Sequence, residues 1–168
     1  MAELTPKERL QPSLLDRLTD DDPDNRQESA DKRVLSPYRL RESVRRDLTW
    51  LFNTTNLASV LDLSEYPEVE RSTLNFGIAD LTGRTGSSID ETTVTRLLRR
   101  AIGDYEPRLL RNTVKLQVIV DPELYGSNTM RFQIEAELWS QPLPLHLYLQ
   151  TDVDLENGEA RVTEVAAV

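Results

Sequence analysis

Between Arg99 and Val120 the chain reads RRAIGDYEPRLLRNTVKLQVIV, and within it the apolar spacing changes from that of a helix to that of a strand. Upstream, Val94, Leu97, Leu98, Ala101, Ile102 and Tyr105 fall at i, i+3, i+4, i+7, i+8 and i+11, one apolar stripe. Asp90 can cap this helix, and Arg96, Arg99 and Arg100 lie towards its C-terminal end, where cations favour the dipole. Downstream, Val114, Leu116, Val118 and Val120 alternate. Pro107 marks the boundary, because it biases Glu106 away from the α region and so ends the helix at about Tyr105.

Alternation then dominates. Phe132, Ile134, Ala136 and Leu138 form one set, and Leu143, Leu145, Leu147 and Leu149 another. Asn157-Gly158 stands between two extended runs, a short hairpin signal. Loops too short for a crossover helix predict antiparallel pairing, with Lys115, Gln133, Glu135 and Glu137 on the outer face. Before the switch the signals are helical. Ser36 is an N-cap and Pro37 a first helical residue, followed by Leu40, Val44, Leu48 and Leu51 on one face to about Asn53, widened by Trp50 and Phe52. A second helix is predicted from about Pro67, carrying Val69 and Leu74 and stopping at Gly77. The fold class is α+β: three helices, then an antiparallel sheet of three or four strands.

The first 34 residues read differently. After Leu18 no apolar residue occurs until Ala30, too little burial to offset the entropy of ordering. The sequence therefore predicts a flexible N-terminal arm over 1–34 and a folded domain over 35–168. Within the arm, PSLLDRL (12–18) is an amphipathic island with Leu14, Leu15 and Leu18 at i, i+1 and i+4. It is either a transient helical turn or a tethered docking motif for a partner's groove.

Charge and composition narrow the chemistry. The net charge is −9, and residues 112–168 hold nine acids against Lys115, Arg131 and Arg161. An acidic sheet is a poor binder of phosphate backbones, which argues against nucleic acid. Cysteine is absent and His146 is the one histidine, so thiolate chemistry and His-based zinc sites are excluded. No apolar run approaches a membrane span and no basic segment precedes an apolar one, which points to the cytoplasm. Gly77, Gly83 and Gly86 lack the spacing of a phosphate loop, and no calcium-loop pattern occurs. Asp104 and Glu106 are the nearest approach to a glycosidase pair, but no aromatic cleft accompanies them.

What remains is Glu106-Pro107-Arg108, a fixed acid and a fixed base at a rigid corner. It reads either as a local ion pair, worth at most about 1 kcal/mol if exposed, or as a surface that meets another protein.

PSLLDRL near the start, SVRRDLTWLFNTTN on the first helix, VERSTLNFGIADLTG on the second and RLLRRAIGDYEPRL before the sheet resemble TssE. That family comprises type VI secretion baseplate subunits related to the lysozyme-like wedge protein of contractile phage tails. The resemblance runs from about Pro12 to Val165, and Glu106, Pro107 and Arg108 match the family's Glu-Pro-Arg motif.

The resemblance implies a structural subunit with no catalytic site, no cofactor or metal, no small-molecule substrate and no membrane insertion. Its partners would be the wedge components TssF, TssG and TssK and the sheath subunits TssB and TssC, whose first ring it would template. Its place would be a baseplate docked at the inner face of the cytoplasmic membrane. Glu106 and Arg108 would take complementary charges from a bundle of helices, with Pro107 keeping them displayed. A peptidoglycan hydrolase and a generic adaptor working through PSLLDRL are the alternatives. The last strand, ARVTEVAAV, is expected to leave an open edge for an added strand, with Glu135, Glu137, Asp152 and Asp154 deterring self-pairing.

Overall fold

The computed structural model describes residues 13–19, 36–83, 90–119, 129–140 and 143–165. Residues 1–12 and 20–35 lie outside them, so the expectation of a flexible arm falls mostly on undescribed residues. Four α-helices occur among the described residues: α1 (Leu14–Leu18), α2 (Pro37–Phe52), α3 (Pro67–Glu70) and α4 (Glu91–Tyr105). Four strands follow: β1 (Lys115–Ile119), β2 (Thr129–Leu138), β3 (Leu145–Asp154) and β4 (Ala160–Glu164). The sheet is antiparallel in the order β1-β2-β3-β4. The α+β class and the antiparallel sheet are as expected, with four helices in place of three. None is long and apolar enough to cross a membrane.

Both long helices begin and end where the sequence directs. The Ser36 hydroxyl accepts from Arg39 N–H at 3.2 Å with Pro37 in the first turn, and the Asp90 carboxylate accepts from Thr92 N–H at 3.1 Å. Helix α4 stops at Tyr105, one residue short of Glu106. Leu40, Val44, Leu48 and Leu51 of α2 and Val94, Leu98, Ala101 and Ile102 of α4 are buried against one face of the sheet. Phe52 meets Phe132 edge-on, with ring centroids 5.5 Å apart. Helix α4 lies on β1 and α2 on β4. Two predicted core residues are not core: Trp50 is half-exposed beneath the Arg46 guanidinium, and Leu97 faces outward.

The second predicted helix is broken. Helix α3 covers only four residues, and a 3-10 turn follows at Thr73–Asn75. Ser72 interrupts it: its hydroxyl donates to Val69 O and accepts from Leu74 N–H. Leu74 then points to solvent, and Asn75 is buried in its place. Its side chain accepts from Ala58 N–H at 2.8 Å and donates to Glu70 O at 2.9 Å. A buried amide, satisfied at both ends, fixes this segment where an apolar stripe was expected. Gly77 (φ 125°) lets Ile78 exchange backbone bonds with Thr54 and Asn56.

The hairpin at Asn157-Gly158 is real but longer than two residues. Asp154 N–H donates to Glu159 O, and Gly158 alone takes positive φ, at 78°. Leu143 is exposed and precedes β3. On the outer face, Lys115 pairs with Glu135 at 3.0 Å and Arg131 with Asp152 at 2.6 Å across neighbouring strands. Two of the four acids expected to repel a second sheet are thus neutralised in place.

Candidate functional site: the Glu106-Pro107-Arg108 corner

The corner is tied to the sheet before its side chains act. Leu109 bridges Leu138 at the end of β2, with Trp139 N–H donating to Arg108 O and Leu110 N–H to Glu137 O. Arg108 and Trp139 are therefore cross-strand neighbours, and Trp139 is half-exposed.

The Glu106 side chain is only 3% exposed. One of its oxygens accepts from the Arg108 backbone N–H at 3.2 Å and from Arg108 Nε at 2.7 Å. The other accepts from Arg108 Nη2. The guanidinium also donates to the Ser43 hydroxyl at 3.1 Å and to Asp47 Oδ2, both on α2. Burial by itself would lower the Arg108 pKa, but the bonds and charges of Glu106 and Asp47 outweigh it and hold the pKa above its ordinary value. Of the two readings of the corner, the local ion pair is present in the free chain: the two charges face each other and α2, because a buried carboxylate needs its counter-charge at hand.

From there the ion pairs continue. Asp47 Oδ1 accepts from Arg46 Nε at 2.9 Å, and Arg46 Nη1 donates to Asp16 Oδ1 at 2.7 Å. The Arg46 guanidinium also lies over the Trp50 ring, 5.0 Å from its centroid. Asp16 belongs to α1, where its second oxygen accepts from the Ser13 hydroxyl and amide in a capping box. A relay of alternating charge thus runs from Asp16 through Arg46, Asp47 and Arg108 to Glu106.

This relay positions the other predicted residues. Leu14, Leu15 and Leu18 are 71%, 44% and 75% exposed, so α1 is held by Asp16 and its leucines face outward. Pro107 is exposed at the bend. Sequence reasoning singled out Glu106 and Arg108 at one end of the relay and the leucines around Asp16 at the other, but missed Asp16 itself and Ser43, Arg46 and Asp47. The available signal was Asp47 four residues after Ser43, which places both on one helical face.

Both Glu106 oxygens accept from the Arg108 guanidinium, so this carboxylate is committed to the ion pair. Among the described residues no group of His, Asp or Glu is placed to hold a metal ion. His146 lies on the outer face of β3, stacked on Tyr148.

Residues 38–143, which carry α2 to the end of β2 and the whole corner, match the family of baseplate wedge protein gp25. No curated protein and no solved structure matches. The match spans more than half of the chain and takes in the corner, helices α3 and α4 and strands β1 and β2, so the chain belongs to the baseplate wedge protein gp25 family.

Proposed function

We propose that this chain is a non-catalytic subunit of a type VI secretion baseplate. It braces the wedge at the Glu106-Pro107-Arg108 corner and templates the first ring of the sheath. Its partners are TssF, TssG and TssK on the wedge side and TssB and TssC on the sheath side. It works in the cytoplasm, against the inner face of the cytoplasmic membrane. One observation carries this reading: a single ionic relay fixes both the corner and a short helix that turns three leucines to solvent. A five-residue helix is too short to persist alone, so exposing its leucines on a fixed mount suits a partner's apolar groove.

Co-purification of the full chain with TssF and TssG tests the wedge contact. Leu14→Ser with Leu18→Ser changes only exposed side chains, so the melting temperature should hold while co-purification falls at least tenfold. Undiminished capture by that variant would remove α1 from the interface. An adaptor role outside any baseplate would instead show as α1-dependent binding with no TssF or TssG in the complex.

A further inference from the structure

Helix α2 runs along the free margin of β4. Two backbone bonds fix which residues of β4 face outward: Asp154 N–H donates to Glu159 O, and Val165 N–H donates to Tyr148 O. Residues 159 and 165 thus face β3, and by alternation Ala160, Val162 and Glu164 turn their backbone groups away from it. A margin of this kind is a template for an added strand.

Here the template is already engaged. Asn53, the C-cap of α2, accepts from Ala160 N–H at 2.9 Å and donates to Ala160 O at 2.8 Å. That is the pair of bonds a neighbouring strand's backbone would make. The Asn53 amide also donates to Thr49 O at 2.7 Å, which sets its orientation. Towards the other end the cover loosens. Arg45 Nη1 reaches Val162 O at 3.5 Å, and Arg41 Nη1 lies 3.5 Å from the Glu164 carboxylate. A groove lined by Arg45, Thr49, Asn53, Ala160 and Val162 runs between helix and strand. Polar side chains of this kind can leave by rotamer change, whereas a packed apolar cover could not.

We infer that Asn53 gates the β4 margin. In the free chain it stands in for a partner's backbone at Ala160. An extended segment of a partner enters at Glu164 and Val162, displaces the two arginines and releases Asn53 last. The inference rests on the sheath contact proposed above for the identity of that partner, while the closed margin is a property of the free chain.

Amide hydrogen exchange on the full chain, read by NMR, tests it. The Ala160 amide should exchange at least tenfold faster in Asn53→Ala than in the unaltered chain, with Arg161 and Thr163 unchanged as a check on the fold. Asn53→Ser is the second variant should the alanine form fail to fold. A peptide copying residues 160–165 serves as the strand probe. It should protect the Val162 and Glu164 amides at about tenfold lower concentration in the variant. An unaltered Ala160 rate overturns the gate, as does probe binding that is equal in both chains or absent from both. The sheath reading fails separately, if TssB and TssC leave Val162 and Glu164 exchanging freely in both chains.

Discussion

Arg108 holds the carboxylate of Glu106, its neighbour but one, with Nε on one oxygen and Nη2 on the other. The proline between them fixes the backbone angle at which two residues so close in sequence can meet fork to fork. Because Glu106 is buried, the pair is a component of the folded domain as well as of any interface.

Arg108→Ala leaves a buried carboxylate without its counter-charge and should cost the isolated chain about 3–5 kcal/mol, measured by urea unfolding. Glu106→Ala should cost less, because Arg108 keeps Asp47 and Ser43. The double variant should lose clearly less than the sum of the single ones. Additive losses would mean that the two side chains do not act as a pair.

Acid should release α1 before the sheet unfolds. Burial raises the Asp16 carboxyl, but the Ser13 and Arg46 bonds outweigh it and leave its pKa below the ordinary 3.8. A depressed carboxyl pKa stabilises the docked form fully above its undocked value. That contribution is lost as the pH falls through the docked one. Leu14 and Leu18 methyl resonances should therefore shift below about pH 4 while those of Leu147 and Leu149 stay. Asp16→Asn should show the released positions at neutral pH.

Thr151→Val should stabilise the protein. Thr151 is fully buried in β3, and its hydroxyl has no hydrogen-bond partner among the described residues. Replacing it by a methyl of similar shape removes a desolvation cost of about 1–3 kcal/mol. A fall in the unfolding midpoint would reveal a partner for that hydroxyl.

Gly77→Ala should destabilise strongly. A Cβ at Gly77 would stand 2.3 Å from Thr54 O, and φ 125° is strained for any other residue. The backbone alone contributes about 1–3 kcal/mol, and the clash adds to it. Thermal unfolding should show the loss, together with faster exchange of the Ile78 amide that bonds Thr54.

Periodic features were legible in the sequence and solitary ones were not. Helix α4, its cap at Asp90 and its end before Pro107 follow from spacing, as do the buried faces of β2 and β3. The segment after Pro67 was misread because Val69 and Leu74 suggest a stripe, whereas Asn75 organises it through two hydrogen bonds that leave no periodic trace. At the corner, Glu106 and Arg108 stood out by themselves. Their partners Asp47 and Ser43 lie 61 and 65 residues from Arg108, and the i, i+4 spacing that puts both on one face of α2 does not say which distant charge that face meets. The exposed leucines of α1 were visible as an amphipathic island, but not that Asp16 would mount them facing outward.

The contact between Asn53 and Ala160 spans 107 residues and joins the second helix to the last strand. The four strands pair in the order in which they leave the ribosome, each with its predecessor, so the sheet can zip up as it is synthesised. Helix α2 has no such option: the strand it lies along is translated last, and until then its leucines have no complete surface to cover. Folding therefore closes late, and a prematurely terminated chain keeps a sticky helix that chaperones and proteases can recognise before it reaches an assembly site.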